Sequence, residues 1–304
     1  MPIHITLAKL PEQIDAVFKI RHTVFSEEEG KFSPTHDGRM FDRFDAYPTS
    51  SNLIVLGDGE VVGSMRLTLD SEMGMPADEY YDFRAHLPPE SRALNCGMYC
   101  VTKQYRSSRI AYGLMLMASY FAVSNNITHV VAPINPDIAK MLGRVGFKTL
   151  DEEFTEAHTG VNIVPVMLEV KHSTDYFINF AYRNQLQNFL GSYDCLFFRE
   201  GEYVVRAGEH GTSAFVIIEG EVEVRLPGRD EPIDTMGEGE IFGELALLTD
   251  EIRTAHVIAK SELRVMMLAK SVFMEYLLHH PEKAIVFMQS IGSRMKNLIS
   301  KMHA

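Results

Sequence analysis

Positive charge is in short supply in this chain: 29 Lys and Arg stand against 41 Asp and Glu, a net charge of −12 over 304 residues. Recognition of nucleic-acid phosphates needs clustered cations, so this balance argues against a general nucleic-acid binder. Cysteine is scarce as well. Cys96, Cys100 and Cys195 form no Cys-x-x-Cys pair, and a sparse, odd set points away from a disulfide framework and toward a reducing compartment. No run of 18 apolar residues occurs, so no transmembrane segment is expected. The start, Met-Pro-Ile-His-Ile-Thr, has no basic stretch followed by an apolar one, and no signal peptide is expected. Low-complexity segments, internal repeats and metal-ligand spacings are missing too. These absences leave a cytoplasmic globular protein with no metal and no nucleic-acid partner. A hydrophobic content of 46% with 23% charged residues is an ordinary globular balance, and the length suits roughly two domains.

Hydrophobic periodicity organises the first half as β-α-β-β-β-α-β-α-β. Residues 3–8 read as a strand, and Pro11 opens a helix that carries Ile14, Val17, Phe18, Arg21, Val24 and Phe25 at helical spacing. Asn52–Leu56 and Val61–Leu69 read as strands joined by Gly57-Asp-Gly59, a hairpin signal because Asp-Gly tolerates positive φ. Ala93–Thr102 is a further strand, Arg106–Asn125 a long apolar helix, Ile127–Ile134 a buried strand, Pro136–Arg144 a short helix and Val161–Val170 a last strand. Residues 173–192 read as an amphipathic connecting helix. Beyond it, short alternating strands with Gly punctuation run from Glu202 to Leu268, the pattern of an antiparallel β-roll. Helices at about 271–279 and 282–302 follow. The fold class is therefore α+β, with domains at 1–171 and 193–304 joined by the helix at 172–192.

The segment Phe242-Gly-Glu-Leu-Ala-Leu-Leu-Thr-Asp-Glu-Ile-Arg253-Thr-Ala255 concentrates chemistry. Gly243 permits close backbone approach to a ligand. The apolar turn after Glu244 can present free N–H groups to an anion. Arg253 is a planar, always-charged donor suited to phosphate. A carboxylate beside an anion cradle needs a neutral hydrogen-bond donor, and a ribose hydroxyl is the natural one. Together with Phe198-x-x-Gly201-Glu-x-Val-x-x-x-Gly208 and Ala214-Phe215-x-Ile-Ile-x-Gly220-x-Val222-x-Val224, this segment resembles the phosphate cassette of cyclic-nucleotide-binding domains. The resemblance implies that Gly243 and the Leu245 and Ala246 amides hold the cyclic phosphate, that Glu244 takes the ribose 2′-hydroxyl, and that Arg253 neutralises the phosphate. Thr254, next in line, accompanies cyclic-GMP recognition in many eukaryotic relatives. Cyclic AMP is the favoured regulatory ligand, and cyclic GMP stays open. Ile252 stands where the family often has Pro.

Met288, Ile291, Met295, Leu298 and Met302 repeat every 3 or 4 residues, a two-heptad seam. A homodimer through this C-terminal helix, packing against the chain's own β-roll and closure over the nucleotide as a lid all fit it. No helix-turn-helix follows, so a DNA-binding regulator is not expected.

In the first half Lys103, Arg106 and Arg109 cluster at a helix start, which makes either an anion site or a solvated basic turn. The element order and Val101-x-x-x-x-Arg106-x-x-Arg109-x-Ala111 resemble the GNAT acyltransferase fold and its pyrophosphate loop, a mixed α/β sandwich, with Arg109 replacing the middle Gly. The front end, Ile20-Arg21-His-x-Val24-Phe25-x-x-Glu28, Phe41-Asp42-x-Phe44-Asp45 and Val62-Gly63-x-Met65-Arg66-Leu67, is similar to acyl-homoserine-lactone synthases and long-chain N-acyl amino acid synthases. That resemblance implies a charged catalytic network of Arg21, Asp42, Asp45 and Arg66. It also implies an acyl thioester donor on acyl carrier protein or CoA, bound at Val101, Lys103, Arg106, Arg109 and Ala111, and a small amine acceptor. Asn95 and Met98 stand where lactone synthases carry Glu and Arg, which disfavours a lactone product. Aminolysis needs a base, and Glu28 or a water held by Asp45 fits that role. Cys96 and Cys100 read as buried structural thiols more readily than as acyl carriers. The expected activity is N-acyl transfer regulated by a cyclic nucleotide. Two readings compete with it: an acetyl-CoA-dependent acetyltransferase gated by cyclic AMP, and a non-catalytic sensor.

Overall fold

The structure, a computed structural model, describes residues 2–156, 160–173, 194–249 and 252–279, with scattered helical positions between 281 and 296. The chain divides into two compact units near residue 191. The expected connecting helix lies outside the described residues, and so do Met295, Leu298 and Met302 of the expected seam.

The first unit opens with strand β1 (Ile3–Leu7) and helix α1 (Pro11–His22). Pro11 sits at the first helical position, where a missing N–H loses no intrahelical bond. The helical period does not stop at His22: Thr23–Glu28 continues as a π-helical turn. Strands β2 (Ser50–Gly57) and β3 (Glu60–Leu69) form the expected hairpin. Asp58 and Gly59 at its tip have φ of +53° and +89°, the two positive angles that a type I′ turn requires. Strand β4 (Ala93–Val101) pairs antiparallel with β3, and β5 (His129–Ile134) runs parallel to β4. Strand β8 (Asn162–Glu169) closes on β5 and also carries two short strands that periodicity did not show, β6 (Lys148–Thr149) and β7 (Phe154–Thr155).

Between β4 and β5 runs helix α2 (Ser108–Ser124). It starts two residues later than the apolar pattern suggested, because the Ser107 hydroxyl accepts from the Ile110 N–H at 3.3 Å and caps it. Arg106 is therefore left in extended backbone ahead of the helix, after a 3-10 turn over Lys103–Tyr105. Ile110, Ala111, Leu114 to Tyr120, Ala122 and Val123 are all buried, as expected of a helix apolar all round. Helix α3 (Pro136–Gly143) begins at an Asn135 cap, whose side chain accepts from the Asp137 N–H at 2.9 Å.

The second unit is a β-roll of two antiparallel sheets among the described residues. One runs β9 (Asp194–Phe198), β16 (Leu263–Ala269), β11 (Ser213–Glu219), β14 (Ile241–Phe242). The other runs β10 (Tyr203–Val205), β15 (His256–Ala259), β12 (Val222–Arg225), β13 (Asp234–Met236). The roll starts at Asp194 rather than at Glu202. Their shared core includes Phe198, Phe215, Ile217, Val222, Phe242, Val257, Leu263 and Val265. Helix α4 (Glu244–Thr249) lies within the roll, and α5 (Lys270–His279) follows its last strand. No helix among the described residues is long and apolar enough to cross a membrane.

Candidate active cleft and nucleotide cassette

A fork in the sheet creates the cleft. Strands β4 and β5 are in register only over Ala93–Asn95 and His129–Val131. Past Asn95 the two strands diverge. On its other edge β4 carries a bulge: Ser64 pairs with Cys100 but Arg66 with Gly97, so two steps along β3 match three along β4. Met98, inside the bulge, has φ of +49°. The wedge so opened is a cavity of about 610 Å³, with Cys96–Val101 on one wall and Ala132–Asn135 on the other. Asn95 is buried at the apex, and its Nδ2 donates to the Cys96 carbonyl (3.2 Å) and the Val131 carbonyl (3.3 Å) across the fork. Met65, Met115, Ile138 and Ile163 make much of the remaining lining apolar.

Beside this wedge lies a buried chain of alternating charges. Arg21 Nη1 donates to both oxygens of Asp45 at 2.9 Å, and Arg21 Nη2 donates to Asn52 Oδ1 at 2.6 Å. Arg66 Nη1 donates to Asp45 Oδ2 (3.0 Å) and Asp42 Oδ1 (2.6 Å), and Arg66 Nη2 to Asp42 Oδ2 (2.9 Å). Asp42 caps the 3-10 turn Arg43–Ala46 by accepting from the Phe44 N–H, while its own N–H donates to Asp45. Side-chain exposure is 0% for Arg21, 3% for Asp45 and 2% for Arg66, but 34% for Asp42. Buried guanidinium groups are tolerable only because each is paired. Asp42 and Arg66 line the cavity. Burial pushes the Asp42 carboxyl up, but hydrogen bonds and charge from Arg66, with help from the Phe44 N–H and Arg21, outweigh it and hold the group below its ordinary value. The structure thus brings Arg21, Asp42, Asp45 and Arg66 into one network.

Glu28 is not part of it. Its carboxylate accepts from the Lys103 N–H (3.2 and 3.1 Å) and from Arg106 Nη2 (2.7 Å). Arg106 also reaches Glu29 at 3.0 Å and donates from Nε to the Val101 carbonyl at 2.9 Å. Val101, Arg106 and Ala111 line the cavity, whereas Lys103 and Arg109 lie outside its lining. Burial pushes the Cys96 thiol up to about 12, and the Cys100 thiol upward too, with Ser64 at 3.3 Å and Arg21 opposing. Both thiols therefore stay protonated near neutrality, which disfavours an acyl-cysteine intermediate.

In the roll, Gly243 has φ of +77°, and a Cβ there would lie 2.8 Å from Arg253 Nη1. The Arg253 guanidinium donates to the backbone carbonyls of Gly243 and Ser213. Its own backbone is fixed by two 2.8 Å bonds, Gly208 N–H to the Arg253 carbonyl and Arg253 N–H to the Glu209 carbonyl. Glu244 and Arg253 are both buried, Leu245 and Thr254 are exposed, and Ala246 lies on α4. Burial lowers the Arg253 pKa, opposed by the charges of Glu244 and Glu209. Among the described residues no group of three His, Cys, Asp or Glu could hold a metal ion.

Two features went unread in the sequence. Asn52 completes the Arg21 pairing, and its signal was a polar residue of low β-propensity opening the run Leu53-Ile-Val-Leu. Glu29 shares Arg106 with Glu28, but within Glu27-Glu28-Glu29 nothing separates one carboxylate from another.

Comparison with known proteins places the first unit among acyltransferases and the second among cyclic nucleotide-binding domains, the latter over residues 195–280. More narrowly, the chain belongs to the N-acyl amino acid synthase FeeM family, which matches residues 16–169. The structure of FeeM, an N-acyl amino acid synthase from uncultured soil microbes, is similar over 56% of this chain and 92% of that one, with 16% identity and a TM-score of 0.48. The second unit is similar to the cAMP-dependent protein kinase regulatory subunit of Emericella nidulans, 38% identical over 84 residues, which make up 28% of this chain and 20% of that protein. It is also similar to human cGMP-dependent protein kinase 2, 40% identical over 74 residues, 22% of this chain and 10% of the kinase. The matches thus span a fifth or less of these relatives.

Proposed function

We propose that the first unit moves an acyl chain from a carrier thioester, on acyl carrier protein or coenzyme A, to the amine of an acceptor such as an amino acid. A cyclic nucleotide bound at Gly243, Glu244, Leu245, Ala246, Arg253 and Thr254 sets the rate. The observation that carries the reading is the forked sheet: an apolar wedge whose wall holds an Asp42–Arg66 pair supported by Asp45 and Arg21. The thioester carbonyl would lie along the β4 wall, where strand amides of the Met98–Tyr99 bulge would take its developing oxyanion. The neutral amine attacks through its lone pair, and the C–N bond forms as the C–S bond breaks. The carrier sulfur leaves as thiolate and takes up the proton the amine sheds. Meanwhile the amine's N–H groups need acceptors. Asp42, the network carboxylate most open to solvent, would supply one. Asp45 would act at one remove, by holding Arg66 against Asp42. The apolar lining suits a long acyl chain better than an acetyl group.

For the regulatory unit, Arg253 would supply the positive charge and the α4 amides the donors for a cyclic phosphate, with Glu244 accepting from the ribose hydroxyl. Cyclic AMP is the ligand we favour. Nucleotide binding changes the rate only if the nucleotide prefers one conformation of the chain over another. The test is mass spectrometry of lipids from cells expressing the protein. N-acyl amines should accumulate, and Arg21→Ala and Asp42→Asn should abolish or sharply reduce them. Equal lipid profiles with and without the protein would defeat the enzymatic reading.

A further inference from the structure

The turn between β4 and α2 already holds an anion, and that anion is the protein's own. Both oxygens of Glu28 accept from the Lys103 backbone N–H, at 3.2 and 3.1 Å, and Oε2 also accepts from Arg106 Nη2 at 2.7 Å. This is the donor set a phosphate oxygen takes: an aimed backbone amide together with a guanidinium. Side-chain exposure of 23% for Glu28 and 40% for Arg106 leaves the pair within reach of solutes.

We propose that Glu28 is an internal occupant of the donor's phosphate site, and that it thereby sets how tightly the phosphate-bearing arm of the thioester donor is held. The inference rests on the reading that the donor's phosphate binds at the Lys103–Arg106 turn. Glu28 holds the Lys103 N–H as well as Arg106 Nη2, whereas Glu29 meets only Arg106, at 3.0 Å, on this turn, so a phosphate that takes the amide together with Nη2 displaces Glu28. Glu29 has a second cation, Lys31, at 2.8 Å. Glu28, which sits on the amide and the guanidinium together, is the carboxylate that yields. A phosphate monoester carries up to two charges and three terminal oxygens. It can displace a single carboxylate whose partly exposed ion pair contributes little. Glu28 is then a specificity-determining residue: it excludes weak anions from the site and admits phosphate.

The test is the affinity of the full-length protein for 4′-phosphopantetheine by titration calorimetry, with pantetheine, which lacks the phosphate, as control. Glu28→Gln keeps the size and an acceptor oxygen but removes the charge. It should tighten phosphopantetheine binding roughly two- to fivefold, the affinity equivalent of one exposed ion pair, and leave pantetheine unchanged. Arg106→Ala should weaken phosphopantetheine binding in both the wild-type and the Glu28→Gln backgrounds. If Glu28→Gln leaves binding unchanged or weaker while Arg106→Ala still weakens it, the internal-occupant proposal is overturned and the donor site stands. If binding ignores Arg106, or no variant binds, both fall.

Discussion

Asp45 is the carboxylate on which two buried cations depend, and replacing it with Asn removes charge at almost constant volume. It accepts from Arg21 through both oxygens, from Arg66 Nη1 and from the Asp42 N–H, at 2.9 to 3.0 Å. Asn offers one acceptor oxygen in place of two and leaves Arg21 without an anionic partner among the described residues. Breaking a buried pair on one side costs about 3–5 kcal/mol, because the remaining charge stays desolvated. Asp42 differs: its side chain is 34% exposed, so water can take over part of what Asn loses. Asp42→Asn should cost about 1–2 kcal/mol. The contrast is measurable by native-state hydrogen exchange of the amides in β2 and β3, the strands that carry Asn52 and Arg66. A loss of 3–5 kcal/mol accelerates their globally limited exchange on the order of a hundredfold or more. Activity should follow the opposite logic, with Asp42→Asn losing turnover at a smaller cost in stability than Asp45→Asn. A shift below about 1 kcal/mol for Asp45→Asn, or equal shifts for the two variants, would refute the account of the network.

Other outcomes follow from the same geometry. Asp42 has its folded pKa depressed below the ordinary aspartate value. Its contribution should be fully present above about pH 4 and lost as pH falls through the folded value, so Asp42→Asn should flatten acid unfolding in that window. Gly243→Ala forces a Cβ into a left-handed position 2.8 Å from Arg253 Nη1. It should displace that guanidinium and weaken binding of a fluorescent cyclic-AMP analogue by tenfold or more, on the order of the 1.5–3 kcal/mol of a hydrogen bond to a charged group. With its thiol pushed up to about 12 by burial, Cys96 should alkylate slowly at pH 8, and Cys96→Ser should keep acyl transfer. An acyl adduct on Cys96 seen by intact mass spectrometry during turnover would count against direct aminolysis.

The fold was legible where a local rule and a tertiary role coincided. Asp58-Gly59 announced its hairpin because both positions need positive φ. The α2 segment announced a core helix because it is apolar on every side. Periodicity alone misplaced the start of α2, since a Ser107 side-chain cap decided it and Arg106 fell outside the helix. The two-residue strands β6 and β7 exist only through pairing with β8, a partner that no local pattern names. At the cleft, resemblance supplied Arg21, Asp42, Asp45 and Arg66, and the fold does bring them together. The chemistry of aminolysis suggested Glu28, or a water held by Asp45, as a base, and the structure holds Glu28 against Lys103 and Arg106. Spacing along the chain cannot show which carboxylate a distant guanidinium selects. Nor could it show the fork beyond Asn95, which depends on where pairing between β4 and β5 stops.

The most direct test of the central claim is liquid chromatography–mass spectrometry of the purified full-length protein given an acyl carrier protein thioester, a mixture of amino acids, and cyclic AMP or none. The account predicts an N-acyl amino acid whose rate of formation changes with cyclic AMP, falls in Asp42→Asn, and loses its nucleotide dependence in Arg253→Ala. No acyl product with carrier-protein or coenzyme A thioesters, with or without cyclic AMP or cyclic GMP, would contradict it.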